Sequence, residues 1–149
     1  MRDILLEKSD EYFDISFEDG DFKLTEGLDT SIIMSLLVDI RAEASEVTEP
    51  SLRRGWIGNE QNDDPDHEVG SKLWLLEQAR NNQNSINRGI SSATECFQWF
   101  LTDEIAKDVN VSGESTSSDK IELNVVFTRF NNSVLNIQFD LWENTIFFN

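Results

Sequence analysis

Ile121-Glu122-Leu123-Asn124-Val125-Val126-Phe127-Thr128 decides the fold. Ile121, Leu123, Val125 and Phe127 alternate with Glu122, Asn124, Val126 and Thr128, the two-residue period of a strand that buries one face. Asn131-Asn132 turns the chain. Leu135, Ile137, Phe139 and Leu141 then repeat the pattern against Asn136, Gln138, Asp140 and Trp142. Glu143-Asn144 turns it again before Ile146, Phe147 and Phe148. Upstream, Val109 and Val111 open a further strand, and the Ser/Thr/Gly-rich residues 112–118 read as a flexible loop. Together these segments predict a C-terminal antiparallel meander.

Working outward, the segment before the meander changes period. Ile86, Ile90, Ala93, Phe97, Phe100, Leu101 and Ile105 recur every three or four residues, which predicts one long helix. Gly89 weakens that helix by up to about 1 kcal/mol relative to Ala, which suggests a close packing contact there. Gly70-Ser71-Lys72-Leu73-Trp74-Leu75-Leu76 predicts a second, largely buried helix with Ser71 as its N-cap. Ile32, Ile33, Leu36, Leu37, Ile40 and Ala44 predict a third, capped by Asp29 or Thr30 and ending before Pro50. At the start, Phe13, Ile15 and Phe17, the turn Asp19-Gly20-Asp21, then Phe22 and Leu24 predict a short hairpin. Residues 1–8 carry Ile4, Leu5 and Leu6, and form either an arm or a part of the core. The expected fold is α+β in one domain over 1–149: a mostly antiparallel sheet made of the N-terminal hairpin and C-terminal meander, with three helices packed on one face.

Composition narrows the function. Asp and Glu number 29 against 12 Lys and Arg, a net charge of −17. Phosphate contacts need Lys and Arg, so the charge disfavours nucleic acid as a direct partner and anionic membranes alike. Basic surfaces of other proteins suit such a chain. The acids are scattered rather than regularly spaced, which argues against a nucleic-acid mimic. The single Cys96 allows no internal disulfide. No apolar run approaches the ~18 residues of a membrane span, and the N-terminal one is too short for a signal peptide.

The unusual residues cluster between Glu49 and Leu76, where both prolines, the only His and two of the four Trp lie. No phosphate-binding glycine loop, paired Cys motif, zinc-binding His pair or nucleophile elbow occurs, so no cofactor is implied. The acidic loop Asn62-Asp63-Asp64-Pro65-Asp66-His67-Glu68 could offer oxygen ligands, but lacks the spacing of a calcium loop and reads as solvated, with no metal expected. Arg53 and Arg54 are expected either to pin their loop onto carboxylates of the same chain or to face another protein. Trp56 and Trp74 read as loop and core anchors.

Leu52-Arg53-Arg54-Gly55-Trp56-Ile57-Gly58, followed after the acidic loop by Gly70-Ser71-Lys72-Leu73-Trp74-Leu75-Leu76, resembles the baseplate wedge proteins of Mu-like contractile-tailed phages. That group is related to the T-even "lysozyme-like" wedge protein and to the sheath initiator of type VI secretion. The structural motif rests on Arg53, Arg54, Gly55, Trp56, Gly70, Ser71, Leu73 and Trp74. Two positions depart from it: Ile57 stands where a second Trp is frequent, and Asn59 where Asp is. The T-even branch docks through a Glu-Pro-Arg motif before its final strands. Residues 103–109 here are Asp-Glu-Ile-Ala-Lys-Asp-Val, so that contact does not carry over residue by residue.

The resemblance implies a non-enzymatic structural subunit, present in several copies in the virion tail baseplate and assembled in the host cytoplasm. Its implied partners are other wedge subunits, the tail sheath protein, and tube or hub proteins. Expected interface residues are Asp103, Glu104, Lys107 and Asp108 in the turn before the meander. Val134, Asn136, Gln138, Asp140, Trp142, Ile146 and Phe148 in the sheath-pairing strands of residues 134–149 complete the set. The alternative is a muramidase-type hydrolase, which requires two carboxyl groups about 5–10 Å apart across a cleft, one with a raised pKa.

Overall fold

The computed structural model describes every residue except Met1, Glu11, Glu26, Pro65 and Asp66. The predicted meander forms as a four-stranded antiparallel sheet in the order β10-β9-β8-β7, with β7 at Asp108–Ser117, β8 at Lys120–Thr128, β9 at Val134–Asp140 and β10 at Thr145–Phe148. Every inward position on β8 (Ile121, Leu123, Val125, Phe127) is fully buried. β7 runs through the segment expected to be a flexible loop. Its polar residues misled because the strand overhangs the core beyond Gly113, and they still pair with β8 as far as Ser117↔Lys120. Asn81 secures the overhang, its amide donating to Ser115 Oγ and Ser117 O.

Helices cover one face of this sheet. α1 (Asp29–Leu37) stops earlier than its apolar stripe suggests, because Val38 turns extended and bonds to Ser71 instead. The single long helix divides into α3 (Gln83–Cys96) and α4 (Gln98–Thr102) about Phe97, whose φ of −99° and ψ of 2° leave the helical region. Asn82 caps α3 by accepting from Ser85 N–H. The expected helix over residues 71–76 is one 3₁₀ turn, Leu73–Leu76. Ser71 does not stand at its N-cap position: its backbone bridges Asp39, and its hydroxyl donates to Leu36 O while accepting weakly from Leu73 N–H. Phe97, Phe100 and Phe127 meet edge-on or tilted with ring centroids 4.9–5.5 Å apart at the centre of the core.

Gly89 and Gly113 show where α3 approaches the sheet. A Cβ on Gly89 would lie 3.5 Å from Leu123, ordinary contact, whereas on Gly113 it would lie 2.9 Å from Leu123 and 3.2 Å from Ile86. The glycine that the packing needs is therefore the one on β7.

The α+β class holds, with the N-terminal strands pairing among themselves rather than joining the main sheet. β1 (Asp3–Ile4) pairs with β6 (Leu24–Thr25), β2 (Leu6–Lys8) with β3 (Phe13–Ile15), and β4 (Phe17–Glu18) with β5 (Asp21–Phe22). The three ladders radiate from a ring of backbone bonds: Leu5 N–H donates to Lys23 O, Lys23 N–H to Ser16 O, and Ser16 N–H to Leu5 O. Thr30 on α1 latches this unit to the helices, its hydroxyl accepting from Leu6 N–H and donating to Ile4 O. Leu6 and Phe13 pack against the core, so residues 3–8 form β1 and β2 of this unit; Met1 of the expected arm lies outside the described residues.

Candidate functional site

The stretch from Glu49 to Leu76 is a clamp, built from the backbone outward. Val38 O accepts from Ser71 N–H and Ser71 O from Ile40 N–H, a two-bond parallel bridge. Gly70 makes this approach possible: its φ is +121°, and a Cβ there would sit 2.3 Å from Val38 O. Trp74 packs beside the bridge, and its indole N–H donates to Ile40 O at 2.9 Å.

Arg54 then closes the clamp. Its left-handed φ of +52° turns the side chain back across Trp74, with the guanidinium 4.6 Å from the ring centroid. The same guanidinium holds Glu77 through two bonds of 3.0 and 2.8 Å and reaches Asp39 at 3.3 Å. Glu77 takes the better geometry. Burial of Asp39 consequently outweighs the attraction of Arg54, and the Asp39 carboxyl is pushed above its ordinary pKa. Arg53 behaves differently, donating to the carbonyls of Val47 and Thr48 at 2.8 and 2.9 Å. Neither arginine is aimed away from the chain.

The acidic loop is closed by Asn59, whose amide donates to Val69 O and accepts from Val69 N–H, both at 2.8 Å. A carboxylate there could not donate, which gives the departure at Asn59 a physical meaning. Trp56 leads into the one-turn helix α2 (Ile57–Glu60), lies over Gly58 within it and stays partly exposed beside Ile57. His67 bridges Asp64 and Asp103; the Asp64 bond chiefly raises its pKa. Asp103 thereby joins the loop to the end of α4. Pro65 and Asp66, part of the considered metal loop, lie outside the described residues.

The turn after α4 is tightly made. Glu104 N–H bonds to Leu101 O and Ile105 N–H to Phe100 O, an end that places Glu104 at φ +55° where glycine is usual. Asp103, Glu104, Lys107 and Asp108 are all exposed, while Ala106 between them is buried. Lys107 binds Asn132 of the β8–β9 turn.

The C-terminal residues divide by face. Val134 and Asn136 are exposed and Gln138 is half-buried on the outer face. Asp140 is only 4% exposed: its Oδ1 accepts from the backbone of Trp142 and Glu143, and Lys120 lies 3.4 Å from Oδ2. Trp142 turns inward and donates to Leu76 O. Ile146 is 7% exposed and Phe148 packs against the core, whereas Phe147, not among the expected interface residues, is 54% exposed. The outward parity of β10 was the overlooked signal.

The family model for the phage protein GP46 matches residues 28–134, from the start of α1 to the start of β9. The chain belongs to the GP46 family. Baseplate protein gp46 of Escherichia phage Mu is 29% identical over 128 residues, 85% of this chain and 86% of the relative. The Mu-like prophage FluMu protein gp46 of Haemophilus influenzae is 30% identical over 103 residues, 69% of each chain. GP46 membership makes this a Mu-like phage baseplate protein, as the paired Arg-Arg-Gly-Trp and Gly-Ser-Lys-Leu-Trp motif indicates. The clamp and the 103–109 turn fall within the GP46 match, whereas the strands of the N-terminal three-armed unit and β10 fall outside it.

Proposed function

We propose that this chain is a non-enzymatic wedge subunit of the virion tail baseplate that starts the contractile sheath by strand pairing. The supporting observation is the edge position of β10. Asn149 N–H bonds to Asn136 O, which fixes the pairing phase: Thr145 and Phe147 turn their backbone groups toward β9. Ile146 and Phe148 turn theirs outward, at the edge where no further described strand pairs. An incoming sheath strand would read those groups by main-chain bonding and meet Phe147 on the outer face. The strained, acidic Asp103-Glu104 turn beside Lys107 and Asp108 is the surface offered to neighbouring wedge subunits, with tube or hub proteins as further neighbours, in several copies per particle.

Truncation after Trp142 abolishes sheath nucleation in this scheme, but it also removes Ile146 from the core. Phe148→Pro keeps Ile146 and deletes one outward N–H and no β9 bond, and Phe148→Ala, which gives up the same core contact but keeps the N–H, is its control. The expected result is a baseplate that contains the variant but bears no sheath by electron microscopy; normal sheath on that baseplate would reject strand pairing. No lysis is expected in a cell-wall turbidity assay. Asp39, the acid that burial raises, shares Arg54 with Glu77, and a guanidinium wedged between two carboxyls leaves no place for a glycosidic oxygen.

A further inference from the structure

We propose that the outer face of the main sheet, where β7 and β8 carry Glu114 and Glu122, is a separate docking surface. Its occupant is a Lys- or Arg-bearing segment of another baseplate subunit. The inference rests on the chain's being a baseplate component and on nothing about the β10 edge.

Strand register fixes the face. Ile121, Leu123, Val125 and Phe127 of β8 are buried in the core, so the even positions of β8 point outward. Of the outward positions on the four strands only Asp140 is buried, so this face is open. Glu122 stands opposite Glu114 on β7 and opposite Asp140 on β9, and Asp140 stands opposite Thr145 on β10. Three carboxylates therefore follow one another straight across three strands. Like charges set directly opposite in a sheet repel, so the row costs the isolated fold stability.

The sheet does not neutralise this row. Lys120 is the only Lys or Arg in the four strands. It lies 3.4 Å from Asp140 Oδ2 without hydrogen-bonding it, and that buried oxygen has no hydrogen-bond partner. Among the described residues neither Glu114 nor Glu122 has an ion pair. Lys8 reaches the row only at its β10 end, on Thr145 Oγ1. Lys107 and Arg129 flank β7 and β8 at the end away from Glu114 and Glu122.

Charge chooses the occupant. A cationic side chain laid across β7 and β8 turns the repulsion into attraction. Among the described residues no group of three carboxylate, imidazole or thiol side chains could hold a metal ion, so the fit is to side-chain cations. A second copy of this chain, at net −17, brings like charge to the contact, and a phosphate backbone does so too.

Glu114→Gln/Glu122→Gln tests the row, because a docking role and a structural role predict opposite outcomes. Relieved of repulsion, the purified variant should melt at or above the wild-type temperature, while its incorporation into baseplates falls by about tenfold or more. Wild-type incorporation would overturn the proposal. So would a lower melting temperature, which would make the pair a support of the fold. A photo-crosslinking phenylalanine analogue at position 112, exposed beside Glu114 on the same face, identifies the occupant in assembled baseplates by peptide mass spectrometry. The expected product is a peptide of a different baseplate subunit that carries Lys or Arg. A cross-link to a second copy, to an acidic peptide or to none overturns the proposal. Phe148→Pro separates the two ideas: it is expected to enter baseplates normally and fail only at sheath formation, whereas Glu114→Gln/Glu122→Gln fails at entry, so either proposal can fail alone.

Discussion

The N-terminal three-armed unit and the C-terminal sheet share one alternating pattern and bury it very differently. Phe127 on β8 is completely buried, whereas Phe17 on β4 is 66% exposed. Strand alternation determines which side chains share a face, and only the neighbouring layer determines whether that face is covered. α3 and α4 cover the main sheet. The N-terminal ladders are two or three residues long and meet α1 through Leu6, Phe13 and the Thr30 latch.

Phe127→Ala breaks the covered side of this contrast and should cost about 3–5 kcal/mol, read as a lower urea midpoint. Phe17→Ala should move the same midpoint by no more than about 0.5 kcal/mol. Comparable losses would mean the two faces are not so different. Thr30→Val removes both latch bonds, and should raise hydrogen exchange of the Leu5, Leu6 and Lys23 amides by an amount matching about 1–3 kcal/mol of local opening. The Leu123 and Val125 amides on β8 should exchange as in the wild type.

Within the covered half, Gly89→Ala should raise stability by about 0.4–1 kcal/mol, because its Cβ meets only ordinary contacts and the unfolded chain loses freedom. Gly113→Ala should lower it, since Leu123 and Ile86 must yield. The smallest effect concerns His67. Its folded pKa is raised by Asp64 and then Asp103, so its stabilisation is fully present below the unfolded value of about 6.5 and disappears as pH rises through the folded value. An NMR titration of His67 should show the raised pKa, and Asp64→Asn should lower it.

The meander, the α+β class and the family were legible because alternation and the paired motif are local signals. The breaks were not. α1 ends at Leu37 because a distant residue, Ser71, takes the backbone of Val38 and Ile40. β7 reaches Ser117 because β8 is long enough to pair with it, although residues 112–118 lack strand-forming side chains. In the clamp, the residue types pointed to Arg54 as an ion-pairing group, but its reach to Glu77 over Trp74 depends on a positive φ that no sequence pattern signals. Asp140 and Ile146, expected at the interface, both bury their side chains, Asp140 in the turn whose backbone it binds and Ile146 against the core, a difference that alternation along the strand does not signal.

The ring of Leu5, Ser16 and Lys23 has a consequence for engineering. Each of the three residues gives one bond and takes one, so the junction is closed by hydrogen bonds and uses none of the residues at the hairpin ends. The Asp19-Gly20 turn closes the β4–β5 ladder and gives the ring no bond. Extra residues inserted at the Asp19-Gly20 turn would lengthen a spoke and leave the hub intact. That turn is therefore a natural place for a short epitope by which the subunit could be counted in the particle.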